Sequence, residues 1–356
     1  MLLAGQELKG TIVENGTNLP LAGAHIYIIN SLQGTVSDGD GKFLLTPPNT
    51  YGELLISYVG YQSQKVEFTP ESKNLRISLT ALTNQLEEVS VNSTEDKKWK
   101  RLYKKFEKSF LGTTENAGYC TITNPWVVDV SKGESGEIIA KSVKPIHIIN
   151  NALGYKLTFH LTDFTLKVDR LHYQGFVYFD ELNPTTSTEG EQWNRNRKKT
   201  FLGSKKHFLL ALDRQKLESE GFEVYEAEFS PEIGFTPTIR RRESKLLKSP
   251  NKLSIPKYLK IVYTKKAPQR AYLATNKSPT SFAFQGPKAD LVPKGNFQMS
   301  TQSTNNQTSY LYSRNSKLLF TQNGLILNNK YIIEYGYWSW LGVAEMLPDE
   351  LQVEND

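Results

Sequence analysis

Residues 8–80 alternate apolar and polar positions at period two, with a turn signal about every eight to twelve residues. Alternation sends successive side chains to opposite faces, so each run predicts a half-buried strand. Leu8, Gly10 and Ile12 share one face, and Ala24, Ile26 and Ile28 point inward on the next run, past the Asn15-Gly16 turn. Runs at 34–37, 43–46, 54–58, 65–68 and 75–79 follow. About seven short strands at this spacing predict a β-sandwich. Between the third and fourth runs lies Asp38-Gly39-Asp40-Gly41, before Phe43. It reads as a structural turn, with Asp38 accepting backbone N–H bonds and Gly41 supplying an unusual backbone angle. Gly60 and Tyr61 form a second corner.

Residues 92–96 are a polar linker, and the period then changes. Trp99, Leu102, Tyr103, Phe106 and Phe110 recur at helical spacing, with Lys97, Lys98, Lys100, Arg101, Lys104, Lys105 and Lys108 around them. This predicts an amphipathic helix over 97–110, either packed with a solvated basic face or lying on an anionic membrane. Strand patterns occupy 111–180, a loop 183–190, and helix 191–220 with a break at Gly203-Ser204, where Ser204 is an N-cap and Gly221 a stop. Strands resume through 264. Residues 265–320 are the least regular, and Asn323-Gly324 predicts a hairpin joining 317–321 to 325–333. In 335–340 a strand would put Tyr335, Tyr337 and Ser339 on one face and Gly336, Trp338 and Trp340 on the other.

Two sets of residues carry a resemblance. Gly10, Pro20-Leu21-Ala22-Gly23-Ala24, Gly34-Thr35, Asp38, Gly41-Lys42-Phe43, Ile56-Ser57 and Gly60-Tyr61 resemble the carboxypeptidase-regulatory-like domain. That resemblance implies a prealbumin-like seven-strand sandwich of the kind found at the N-termini of SusC-type TonB-dependent receptors in Bacteroidetes. The segments 110–116 and 151–155, Trp193 with Arg197, the run Gly203 to Leu212, and Gly336 to Pro348 resemble the long C-terminal region of Bacteroidetes proteins that carry this domain. Trp340-Leu341-Gly342 departs from that pattern, where a basic residue often follows. The family implies no firm biochemical activity.

The expected fold is therefore mostly β: a sandwich over 6–91, the linker 92–96, and a larger α+β domain of mainly antiparallel sheet with a few helices over 97–356. Charge divides the same way. Residues 1–91 hold five basic residues against nine acids, net −4, and the chain total of +6 leaves +10 for the remainder. A single cysteine, Cys120, excludes an intrachain disulfide and reads as a core thiol in a strand. No apolar run approaches the roughly 20 residues of a membrane helix. Residues 1–6 resemble the stub of a signal peptide whose greater part is absent from the sequence.

Candidate chemistry is sparse. Zinc peptidase chemistry needs closely spaced His and Glu ligands; His25, His147, His160, His172 and His207 stand in no such frame, so no metal is expected. No serine elbow is present, and Asp38-Gly39-Asp40 lacks the distal Glu of a calcium loop. Neither a catalytic residue nor a cofactor is assigned. The surfaces left for a partner or ligand are the aromatic row Tyr335, Tyr337, Trp338 and Trp340, and the basic runs Arg195, Arg197 and Arg240, Arg241, Arg242. Arg197 follows Trp193 by four and alternatively pairs or stacks within the helix layer. Nucleic-acid signatures are lacking. These features predict a non-catalytic envelope protein, periplasmic and associated with the outer membrane, that docks on an outer-membrane protein complex, with an anionic membrane surface as a further contact. A glycan- or peptide-binding module of nutrient uptake is the alternative, and an undescribed hydrolase the second.

Overall fold

Period-two alternation becomes strand wherever the sequence carries it in the first 82 residues. These strands are β1 (Leu8–Glu14), β2 (His25–Ile28), β3 (Gly34–Val36), β4 (Lys42–Leu45), β5 (Gly52–Ser57), β6 (Gln64–Phe68) and β7 (Asn74–Leu79). They form two sheets, ordered β4-β1-β7 and β3-β2-β5-β6. Pairing is antiparallel except for β1 and β7, which run parallel with Gly10 opposite Leu75. The predicted inward positions Leu8, Ile12, Ala24, Ile26 and Ile28 meet Phe43, Leu54, Ile56, Phe68, Ile77 and Leu79 in one core. The computed structural model describes residues 7–82, 97–142, 144–167, 171–230, 234–241, 247–249, 252–255, 258–275, 305–321, 323–327, 331–351 and 353; of 230, 234–241, 247–249 and 275 only the backbone is described.

The chain divides into two compact units, and the one holding the sandwich also takes Phe176–Glu181 and Pro348–Gln352. The sequence reading groups both segments with residues 97–356, because no alternation within the first 91 residues points to them. Inside this unit the Asn30 N–H donates to the Val177 carbonyl and the Phe179 N–H to that of Ser31. Tyr27 stacks on Tyr178 with ring centroids 3.7 Å apart. The Glu350 carboxylate accepts from the Leu32 N–H and the Ser31 hydroxyl.

The second unit begins with α1 (Lys97–Leu111), followed by β8 (Cys120–Ile122), β9 (Val128–Lys132), β10 (Ile138–Ser142), β11 (Ile146–Asn150), β12 (Tyr155–Leu166) and the start of β13 (Leu171–Glu181), whose residues from 176 on belong to the first unit. The six strands make one sheet, ordered β8-β11-β12-β10-β9, with β13 also paired to β12. Every apolar residue of the predicted helical stripe is buried. Phe106 meets Phe164 edge-on, Phe110 meets Phe159 and Tyr173, and Trp99 donates from Nε1 to the Val128 carbonyl.

Helices α2 (Ser187–Phe201), α3 (Lys205–Asp213) and α4 (Leu217–Glu220) come next. The first starts four residues before the sequence reading placed it. Thr186 caps it by accepting from the Glu189 N–H, and Glu189 reaches back to Thr185, a reciprocal capping that outweighs the loop-like composition. The Ser204 hydroxyl accepts from the His207 N–H as the N-cap of α3, and Gly221 ends α4. The remaining strands are β14 (Phe222–Ser230), β15 (Gly234–Arg241), β16 (Leu247–Ser249), β17 (Lys252–Ser254) and β18 (Tyr258–Tyr263). After α5 (Arg270–Thr275) come β19 (Gln307–Ser313), β20 (Lys317–Leu319), β21 (Ile332–Gly336) and α6 (Tyr337–Trp340). They form sheets ordered β15-β14-β18-β19-β21 and β16-β17-β20. β19 lies in the stretch that looked irregular: its Gln, Thr and Ser side chains hide the strand signal, yet they are buried. The Asn323-Gly324 turn closes as a hairpin through the bridge Phe320 to Ile326.

One histidine makes stability depend on pH. Burial, with His147 nearby, pushes His160 down to about 4 from its ordinary 6.5. Between these values the unfolded chain binds a proton that the folded chain refuses, so stability falls on acidification through this window and levels off below it. The loss expected from this group is on the order of 2 kcal/mol, discounted for its residual exposure. Urea titrations at pH 7 and pH 4.5 should show a smaller difference for His160→Gln than for the parent chain.

Candidate functional site

In the second unit, helix α2 lies over the loop between β11 and β12. Trp193 Nε1 donates to the Asn151 carbonyl at 2.8 Å, Asn196 Nδ2 to that of Ala152 at 2.8 Å, and Arg197 to those of Leu153 and Gly154 at 2.7 and 3.2 Å. Three side chains one helical turn apart thus satisfy four successive carbonyls. The Arg197 guanidinium also stands 4.0 Å from the centre of the Tyr155 ring. Gly154 is required here, because a Cβ on it would lie 2.2 Å from the Trp193 ring. Two separate sequence motifs, 151–155 and the Trp193–Arg197 pair, are therefore one structural lock. Arg197 is half-buried and takes the helix-layer role, pairing and stacking within the fold.

The lock leads to a small solvent-open cleft at the junction of α2 and α3. Glu115, Asn116, Lys199, Thr200, Lys266 and Glu345 give it its chemistry. Glu345 is the deepest of them. Its Oε2 accepts from Asn116 Nδ2 and the Thr200 hydroxyl, both at 3.0 Å, and Asn116 Nδ2 also donates to Thr200 at 2.9 Å. Burial pushes this carboxyl above its usual range, against the opposing pull of Thr114, Thr200, Asn116 and Lys266. Oε1 has no hydrogen bond of ordinary geometry among the described residues. Lys199 pairs with Glu115 at 2.6 Å, which holds the Glu115 carboxyl below its usual range. Lys266 donates to the Lys199 carbonyl at 2.6 Å, and burial lowers its amine.

Nothing described in the cleft is an activated nucleophile. Burial and then Glu345 push the Cys120 thiol up to about 12, so it is a neutral thiol at physiological pH. Ser204 is engaged as a helix cap. His207 accepts from the Gly203 N–H at Nδ1 and bonds Glu220 through Nε2, which fixes its tautomer for a structural role. Sequence reasoning missed this cleft. Its walls combine parts of the segments 110–116, 199–204 and 336–348 with residues 266–269 and Gln307, which local patterns cannot bring together.

The other sequence candidates fall as follows. Asp38 Oδ1 accepts from the Asp40 and Lys42 N–H groups at 3.0 and 2.8 Å, Gly41 has φ +72°, and Phe43 is in the core, so the acidic run is a structural turn. Gly60 has φ +83°, and the Tyr61 hydroxyl donates to Glu14 at 2.8 Å. The aromatic row needs correction. The strand stops at Gly336, and Tyr337–Trp340 is a helical turn. Tyr335, Tyr337, Trp338 and Trp340 are all buried, the last at 9 % exposure. Trp338 Nε1 donates to the Gly203 carbonyl, and Trp338 and Trp340 share one core with Phe208 and Tyr263. The row faces packed layers rather than solvent, so it offers no stacking surface. One smaller expectation also shifts: Cys120, read as a core thiol, is only partly buried. Arg195 stays on the surface, paired with Glu191. The side chains of Arg240 and Arg241, and all of Arg242, lie outside the described residues.

Comparison with known proteins adds an assignment for the first unit. Residues 8–91 match the family model of the CarboxypepD_reg-like domain. TonB-dependent receptor P3 of Formosa agariphila is 27% identical over 86 residues, a stretch that is 24% of this chain and 8% of that receptor. The chain thus matches less than a tenth of the receptor's length. Among solved structures, a cohesin–X-dockerin complex of Acetivibrio cellulolyticus is 19% identical over 21% of this chain and 53% of that one, with a TM-score of 0.18. A Bacteroides fragilis protein of unknown function is 15% identical over 44% of this chain and 64% of that one, also at 0.18. Both structures are too remote to bear on fold or function. Residues 8–91 are thus similar to the CarboxypepD_reg-like domain.

Proposed function

We propose that this protein is a non-catalytic accessory or scaffold subunit of the cell envelope, periplasmic and docked on an outer-membrane protein complex. The observation that carries the reading is the match of residues 8–91 to a domain type shared with a TonB-dependent receptor. A regulatory-type sandwich brings sheet edges and no catalytic groups. Here β3 and β4 end their sheets, with Val36 and Leu44 exposed on them. Such edges offer unpaired backbone groups to a partner strand. Among the described residues no helix is long and apolar enough to cross a membrane, which suits a peripheral subunit. Burial of Trp338 and Trp340 takes away the main support of the glycan- or peptide-binding alternative, and the cleft at Glu345 offers a hydrolase no activated nucleophile.

The test is extraction of the tagged native protein from its own envelope in mild detergent. Co-elution with a β-barrel receptor at fixed stoichiometry is the expected result, reduced at least tenfold by Val36→Glu with Leu44→Glu. A monomer that elutes free of any barrel sinks the reading.

A further inference from the structure

Helix α1 sets an amphipathic sequence in an unexpected position. Its apolar stripe is consumed by its own sheet, so the helix has no free hydrophobic face to insert into a bilayer. What it shows to solvent is charge: Lys97, Lys98, Lys100, Arg101, Lys104, Lys105 and Lys108 are all exposed. The acid on the helix is Glu107, half-buried beside Tyr103, and Asp129 on β9 is a nearby exposed acid. Among the described residues, the side-chain cations of Lys97, Lys100, Arg101, Lys104, Lys105 and Lys108 take part in no hydrogen bond or close ion pair.

This arrangement works against the helix itself. The first turn carries no acidic residue, although the positive end of the helix dipole favours one. Four like-charged pairs stand at i and i+4: Lys97 with Arg101, Lys100 with Lys104, Arg101 with Lys105, and Lys104 with Lys108. A face that only kept the protein soluble would intersperse both signs. Concentrated cations that cost local stability fit a surface that meets concentrated anions.

We infer that the exposed face of α1 binds an anionic lipid surface by electrostatics alone, without insertion. Six of the seven cations are lysines, compact point charges that suit a diffuse layer of phosphates better than bidentate recognition. From Lys97 to Lys108 they extend roughly 16 Å along a straight axis, a row fitted to a flat surface. The aromatic residues of α1 are buried, so bases of a nucleic acid have nothing on it to stack against. This inference relies on the envelope reading only for where such a surface is met.

Purified full-length protein is floated with vesicles of phosphatidylcholine alone and of phosphatidylcholine with a third phosphatidylglycerol, in 0.1 M salt. Binding is expected to the second and not the first, and 0.5 M salt should release it. Each lysine near such a surface is worth about fivefold in affinity. The variant Lys100→Gln, Lys104→Gln, Lys108→Gln should therefore bind on the order of 100-fold more weakly, with a melting temperature no lower than the parent's, since two like-charged pairs are relieved. A control in which exposed Lys73, Lys167 and Lys216 become glutamine should bind like the parent. Equal loss in both variants, retention in 1 M salt, or no preference for the anionic vesicles overturns the inference. Because no barrel is present, a negative result here and a failed co-elution with a receptor are separate outcomes.

Discussion

Replacing Gly342 by alanine is expected to destabilise the second unit by about 4 kcal/mol. Its backbone angles, φ −92° and ψ −169°, suit any residue. The constraint is space. A Cβ would lie 2.3 Å from the Leu111 carbonyl oxygen and 2.5 Å from the Gly112 nitrogen. Both are backbone atoms held by the end of α1, where the Gly112 N–H donates to the Lys108 carbonyl. No side chain can swing away, so α1 or the turn at 343–345 must shift, and that turn carries Glu345. Gly136→Ala is the control: its φ is +81° with nothing within 4 Å, so it should cost only about 1 kcal/mol. Urea unfolding followed by far-ultraviolet circular dichroism separates the two. A Gly342→Ala chain within 1 kcal/mol of the parent would refute the close approach.

Arg197→Ala comes next, at about 3 to 4 kcal/mol. It leaves the Leu153 and Gly154 carbonyls without their charged donor and strips Tyr155 of its cation. Arg197→Lys should recover less than half, since one ammonium cannot span both carbonyls and still lie flat on the ring. A double-mutant cycle with Tyr155→Leu should return a coupling of about 1 kcal/mol. Zero coupling would mean that the ring contact contributes nothing, and full rescue by lysine would mean that the guanidinium geometry is irrelevant.

Much of the fold was legible because local physics wrote it. The stripe from Trp99 to Phe110 named α1, the Ser204 hydroxyl and Gly221 marked helix ends, and Asp38 with Gly41 marked a turn. Failures came where the signal was not local. α2 begins early because the Thr186 hydroxyl caps it and the Glu189 carboxylate reaches back to Thr185. β19 was hidden because its buried polar residues read as loop. The Glu345 cleft gathers segments more than 200 positions apart in the sequence, and no spacing rule reaches across that.

The sequence by itself determined the sandwich and the amphipathic helix, since strand and helix periods are set by each residue and its near neighbours. Tertiary structure decided which faces are free. A row such as Tyr335 to Trp340 reads the same whether solvent or another layer lies opposite, and packing buried it. The stripe of α1 reads the same for a membrane as for a sheet, and the sheet beneath it claimed the apolar side, leaving the lysines outside.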